Sequence, residues 1–257
     1  MLPDLVLLFV GAVGIGFVSA ITGIGGGSLM VPFMVLIMNY DVKVAIATSL
    51  LCIIVTSSSA ASVYLRKGLI DIKTALLLEP TTALGAIVGA FITITLPVKV
   101  VKGALGLLLS YISITMLRKA LKKTSVEDKS GEAKLLPLRK LLGILISFLA
   151  GMASGMFGIG GGVIKVPLMT LILGLPIKTA VATSSFMVGL TAASGGIVYL
   201  TKGLVDPLSV VAIALGIIPG ATLGAKYMRK LKSWIVRLIF SLILLYASIR
   251  LLYSILV

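Results

Sequence analysis

The sequence predicts an all-α membrane protein, a polytopic bundle of about ten helical segments in two inverted-topology repeats of five, with helices broken at two glycine runs. Three observations carry that reading. The chain is 59% hydrophobic and 12% charged, with a mean hydropathy of +1.20, which leaves too little polar surface to cover a soluble globule of 257 residues. Its two halves repeat one another without a gap. Its basic residues gather in short segments between apolar runs, where they fix an orientation.

The repeat is anchored on glycine. Thr22–Pro32 reads TGIGGGSLMVP and Phe157–Pro167 reads FGIGGGVIKVP, an offset of 157 − 22 = 135. The same offset aligns Ile46-Ala-Thr-Ser with Val181-Ala-Thr-Ser, and Val63-Tyr-Leu-Arg-Lys-Gly-Leu-Ile-Asp with Val198-Tyr-Leu-Thr-Lys-Gly-Leu-Val-Asp. Chance does not hold one register over so much of each half, so the chain is one unit duplicated.

Taken in order, apolar segments lie at roughly 4–22, 27–39, 43–65, 72–96 and 98–117, then at about 138–157, 162–174, 178–200, 206–227 and 232–256. Residues 1–117 form the first repeat, 118–137 a cytoplasmic linker and 138–257 the second repeat. Several runs reach the ~20 residues that a helix needs to cross a bilayer, and none alternates with the period of a membrane β-barrel. The second segment of each half is short, about 20 Å at 1.5 Å per residue, and cannot cross comfortably alone. Met1-Leu-Pro-Asp lacks a basic n-region and a small-residue cleavage site, so the first apolar run is expected to stay as a membrane helix.

Charge chooses the orientation. Five crossings per half invert the second repeat, whereas four crossings plus a re-entrant segment leave the repeats parallel. With the linker's Arg118, Lys119, Lys122, Lys123, Arg139 and Lys140 in the cytosol, five crossings also put Arg66, Lys67, Lys73, Lys178 and the Lys226–Lys232 cluster inside. Lys43, Lys99, Lys102 and Lys202 then face out, together with both chain ends. Four crossings would send the Lys226–Lys232 cluster outside. The inverted arrangement is therefore expected.

The net charge of +15 reflects this loop anchoring and not a nucleic-acid surface. The chain has no histidine and one cysteine, Cys52, inside an apolar run. That removes intrachain disulfides and the usual zinc and haem ligand sets, so no cofactor and no metal are expected.

The glycine runs are where chemistry is expected. Glycine costs a helix interior up to ~1 kcal/mol relative to alanine, so Gly23–Gly27 and Gly158–Gly162 should each break a helix. Unwound backbone within a membrane is tolerated where protein or a water-filled cavity satisfies it, and the helix that follows begins with free N–H groups and a positive dipole end, which suit an anion. Inverted repeats bring two such ends toward one midplane site. The alternative is close helix packing, although that needs spaced glycines and not a contiguous run. Neither run fits a P-loop or a dinucleotide fingerprint.

The substrate-binding candidates are accordingly Gly25, Gly26, Gly27, Ser28, Gly160, Gly161, Gly162 and Lys165, with Thr48, Ser49, Thr183 and Ser184 at the start of the third helix of each half. Lys165 replaces Met30 of the first repeat and lies inside an apolar segment, where an ionisable side chain needs a partner; snorkelling to the surface is its other reading. The hydroxyls can donate to an anion or simply sit at helix contacts. Ser57–Ser59 and Thr191–Ser194 carry the same ambiguity. Glu79 is the carboxylate deep in a predicted span, a candidate for carrying a coupling proton or a hydrogen-bonded structural group. Asp71 and Asp206 read as partners of the first helical turn that follows each. Tyr64, Tyr199 and Trp234 read as membrane-interface anchors.

These motifs resemble the TauE/SafE, or sulfite exporter, family of membrane proteins. The resemblance rests on the paired Gly23–Pro32 and Gly158–Pro167 elements, Ala47-Thr48-Ser49 with Ala182-Thr183-Ser184, and the Lys67–Asp71 and Lys202–Asp206 turns. It covers nearly the whole chain. It implies transport of small sulfur-containing anions such as sulfite, thiosulfate, sulfoacetate and other sulfonates, and the sulfur preference comes from the resemblance alone. A multi-pass protein of the cell membrane is expected, acting as a secondary carrier or facilitator. A membrane-embedded enzyme and a non-transporting membrane subunit are the alternatives, and the missing metal, thiol and paired-aspartate sets count against catalysis. The expected partners are a small anion and the lipid bilayer, with no nucleic acid; a homodimer is left open.

Overall fold

The computed structural model describes residues 2–23, 25–121, 137–228 and 233–256. All its regular elements there are helical. In the first half they are α1 (Leu2–Thr22), α2 (Gly27–Leu36), α3 (Val42–Arg66), α4 (Ile72–Thr95) and α5 (Val98–Leu121). In the second they are α6 (Pro137–Phe157), α7 (Gly162–Pro167, continuing as a π-helical stretch Leu168–Ile172), α8 (Ile177–Leu200), α9 (Pro207–Tyr227) and α10 (Ser233–Leu256). Among the described residues seven helices are long and apolar enough to cross a membrane, and α2 and α7 with its π-helical extension are short apolar helices. The protein is a multi-pass membrane protein. Most of the expected linker, the basic residues Lys122, Lys123, Arg229, Lys230 and Lys232, and the side chain of Trp234 lie outside the described residues.

The boundaries follow local chemistry. Asp41 caps α3 by accepting the Lys43 N–H at 2.8 Å, and Asp71 caps α4 through the Thr74 N–H at 3.2 Å and hydroxyl at 2.8 Å. Pro207 stands at the first position of α9, where its missing N–H costs nothing.

Small residues set the packing. A Cβ on Gly216, Gly220 or Gly224 of α9 would fall 2.2–2.3 Å from the carbonyl oxygens of Phe9, Val13 and Phe17 of α1. Gly85 and Gly89 of α4 lie equally close to Phe148 and Met152 of α6, while Gly151 and Gly155 lie against Thr82 and Ala86. Glycines spaced by four thus bring these backbones into contact. The contact order gives directions: α1 runs parallel to α9, and α4 parallel to α6.

Two other pairs run the opposite way. The Ser57 hydroxyl meets the Ser185 carbonyl while Gly196 faces Leu50 and Leu51, so α3 and α8 are antiparallel. Ser113 donates to the Ser241 carbonyl at 2.8 Å while Gly106 packs on Leu252, so α5 and α10 are antiparallel as well. Lys43, at the start of α3, donates to Ile94 near the end of α4 at 2.9 Å. Lys67, at the other end of α3, reaches the Ala225 and Lys226 carbonyls at the end of α9, at 3.2 and 3.4 Å. Both are cations at the negative end of a helix. The central α3 and α8 carry the longest runs of buried residues, whereas Leu7, Leu76, Leu107, Leu145 and Leu215 point outward as an apolar surface suits a lipid environment.

Candidate functional site

The site grows from the two helix breaks. α1 stops at Thr22, and its last carbonyls need partners. Ser19 accepts the Gly23 N–H at 2.9 Å, the Thr22 hydroxyl folds back on Val18 at 3.0 Å, and the Tyr64 hydroxyl donates to Ala20 at 2.5 Å. The second half repeats this: Gly158 N–H to Ser154 at 2.8 Å, and the Tyr199 hydroxyl to Gly155 at 2.8 Å. Tyr64 and Tyr199 are thus not interface anchors. Both are fully buried, because carbonyls freed by a broken helix in a dry interior require a donor.

Beyond each break the backbone turns left-handed. Gly23, Gly25 and Gly26 have φ of 71°, 93° and 84°, and Gly158, Gly160 and Gly161 have 65°, 80° and 70°. Side chains rarely tolerate that conformation, so contiguity of glycine is a demand of the chain path and not of packing alone. Gly26 and Gly161 then cap α2 and α7 with no side-chain bond. The two breaks touch: a Cβ on Gly27 would lie 1.8 Å from the Gly158 carbonyl oxygen. Gly25 faces Val188 and Ile53, which occupy the middles of α8 and α3.

Hydroxyls stitch the halves together. Ser49 donates to the Gly158 carbonyl at 2.9 Å, and its repeat mate Ser184 donates to Gly23 at 2.9 Å. Thr183 accepts the Asp71 N–H at 2.9 Å, and Thr48 accepts the Asp206 N–H at a longer 3.5 Å. All four hydroxyls are engaged by backbone of the opposite half. In contrast, Ser28, Ser19, Ser154 and Ser147 are buried with hydroxyls that have no hydrogen-bond partner among the described residues. Ser19 stands against Gly26, its Oγ 3.0 Å from where a Cβ would sit, and Ser154 stands against Gly161. Sequence reading missed Ser19 and Ser154, although they are repeat mates (154 − 19 = 135) and could have been found by that offset.

Lys165 and Glu79, read separately in the sequence, meet. The Lys165 Nζ lies 3.0 Å from Glu79 Oε2 and 2.6 Å from Thr191 Oγ1, and the Thr191 hydroxyl donates to Glu79 Oε1 at 2.5 Å. Lys165 and Thr191 are fully buried and Glu79 is 7% exposed, so Lys165 does not snorkel. The triad joins α7, α4 and α8. The ion pair leaves it without net charge, with two of the three ammonium N–H groups engaged.

The family model for the sulfite exporter TauE/SafE matches residues 7–251. The chain belongs to the sulfite exporter TauE/SafE family. The probable membrane transporter protein YunE of Bacillus subtilis is 30% identical over 256 residues, 93% of this chain and 94% of that one. A probable membrane transporter protein of Methanocaldococcus jannaschii is 29% identical over 253 residues, 93% of this chain and 91% of its own length. The sulfite exporter TauE/SafE family protein 6 of Arabidopsis thaliana is 33% identical over 111 residues, 43% of this chain and 26% of that protein. No solved structure matches the chain. The Bacillus and Methanocaldococcus relatives, each aligned with 93% of this chain, are thus named as probable membrane transporters.

Proposed function

We propose that the protein is a secondary carrier or facilitator for small sulfur-containing anions such as sulfite, thiosulfate and organosulfonates, and not an enzyme. The observation that carries this is a fully buried lysine, Lys165, in the helix that follows one of two touching glycine breaks. An intramembrane cation of this kind marks a substrate path by default. The anion is held by Lys165, by backbone N–H groups following Gly25–Gly27 and Gly160–Gly162, and by the unengaged hydroxyls of Ser19, Ser28 and Ser154. Thr48, Ser49, Thr183 and Ser184 support that surface by fixing the broken backbone. The sulfur preference is supported by the family description and by the printed names of the Arabidopsis relatives.

The two halves are read as inverted repeats with boundaries near 117 and 138. Supporting this, the repeat mates α3 and α8 are antiparallel, as are α5 and α10, and α1 follows α9 while α4 follows α6. Parallel repeats would align each mate.

Purified protein in liposomes tests the transport reading. Saturable uptake of labelled thiosulfate, competed by sulfite and by sulfoacetate, is expected. Absence of protein-dependent flux for every sulfur oxyanion would overturn it.

A further inference from the structure

We propose that Glu79 and Lys165 form a proton-linked exchange element. An entering anion takes the Lys165 ammonium from Glu79, and the released carboxylate binds one proton drawn from the side on which the anion arrives. The proposal rests on the anion-carrier reading above and adds the coupling ion to it.

The geometry carries the first step. Glu79 Oε2 is the carboxylate oxygen on the ammonium, 3.0 Å away, and Thr191 closes a triangle by accepting from Lys165 and donating to Glu79. An anion and a carboxylate are the same kind of partner for an ammonium, so the substrate competes for a donor that is already desolvated and oriented. When Lys165 turns to the anion, an ionised Glu79 would be left buried beside a second negative charge. Isolated charge in such surroundings is costly enough that the group takes a proton instead. With a monoanion the site then holds one cation, one anion and a neutral carboxyl, and its charge is the same as before the anion entered; with a dianion the proton leaves one negative charge in place of two. Exit reverses the order.

The repeat carries the second step. The repeat mates of Lys165, Glu79 and Thr191 are Met30, Ala214 and Thr56, each reached by the 135-residue offset. The Thr56 hydroxyl lies 3.0 Å from the Cys52 carbonyl as the Thr191 hydroxyl lies 3.1 Å from that of Met187. The two threonines are therefore seated alike, and the ion pair stands at one of the two repeat-related positions and not at the other. Structural need does not account for two buried charges that the repeat-related position omits.

Other titratable groups do not intrude. On α4, α6, α7 and α8, which pack together here, the described candidates are Asp71, Lys73, Arg139, Lys140, Lys178 and Tyr199. Asp71 caps α4, Tyr199 donates to Gly155, and the four cations are exposed at helix ends. Lys165 and Thr191 are the side chains bonded to Glu79.

Calorimetry in two buffers of different ionisation enthalpy counts protons taken up with the anion. Methanesulfonate and thiosulfate are the probes, because neither binds a proton near neutral pH. The wild-type protein is expected to take up about one proton per anion and to lose affinity about tenfold for each pH unit of increase. Glu79→Gln is expected to bind with no proton uptake and with an affinity independent of pH. Wild-type binding without proton uptake overturns the exchange element and leaves the anion carrier standing. Persistent uptake of a proton in Glu79→Gln overturns it too. Failure of the wild type to bind either probe overturns the carrier reading and this proposal with it. The proton count of the wild type decides the matter even if Glu79→Gln does not fold.

Discussion

The hydroxyl of Ser49 donates to the carbonyl of Gly158 at 2.9 Å across the two halves of the chain, and Ser184 returns the same bond to Gly23. Each serine satisfies a carbonyl exposed by the opposite helix break. Ser49→Ala or Ser184→Ala is expected to cost about 1–3 kcal/mol, the price of an unsatisfied buried acceptor. Thermal unfolding in detergent should show the loss, while anion affinity of the folded fraction changes little. Unchanged melting with abolished binding would mean that the hydroxyl touches the anion.

Contact between the breaks gives a sharper test. A Cβ on Gly27 would stand 1.8 Å from the Gly158 oxygen, a backbone atom with no room to retreat. Gly27→Ala should therefore yield little folded protein by size-exclusion chromatography. Gly14→Ala is the control: nothing lies within 4 Å of its Cβ position, and alanine favours a helix by up to ~1 kcal/mol.

Lys165→Met removes the cation and strands Glu79, and breaking a buried pair in this way costs about 3–5 kcal/mol. The double variant Lys165→Met with Glu79→Ala places at these positions the residues of their repeat mates, Met30 and Ala214. It is expected to recover most of that stability and still bind no anion. Equal melting temperatures for the single and double variants would contradict a stranded carboxylate.

At the membrane edge, burial raises the Asp206 carboxyl, but hydrogen bonds from Ser209 at 2.6 Å and Tyr40 at 3.0 Å outweigh it and hold the group below the ordinary value of 3.8. A lowered folded pKa contributes stability that is present above the unfolded value and is lost as pH falls through the folded one. Tyr40→Phe should cost about 1 kcal/mol at neutral pH and less once Asp206 is protonated, when the contact of Tyr40 with Ser209 at 2.6 Å remains. A melting-temperature difference that does not shrink as Asp206 becomes protonated would show that Asp206 is not its source.

Arg66 and Thr201 are exposed repeat mates in corresponding turns. In inverted repeats they face opposite sides, so a cysteine at 201 should react with an impermeant maleimide in intact cells and one at 66 should not. The native Cys52 is buried and gives a low background. Equal labelling would exclude the inversion.

Much of this architecture was legible because apolar length and repeat register are written locally. Segment limits such as 43–65 and 206–227 lie within one residue of Val42–Arg66 and Pro207–Tyr227, since caps and glycines punctuate them. The pairing of Lys165 with Glu79 was not legible: the two are 86 residues apart, on helices whose contact depends on packing, and neither has a charged mate to betray the other. Tyr64 and Tyr199 were misread for a related reason. An amphipathic ring near a helix end fits a bilayer interface equally well until the freed carbonyls of Ala20 and Gly155 are seen.

The parallel seating of α1 against the glycines of α9 has a consequence for biosynthesis. Phe9, Val13 and Phe17 cannot meet Gly216, Gly220 and Gly224 until the ribosome has passed Pro207. At about 5–20 residues per second that leaves the first helix without its partner for roughly 10–40 s. During that interval the face of α1 that carries the Phe9, Val13 and Phe17 carbonyls lacks the glycines it packs on. The nascent chain must assemble from its tail back onto its head.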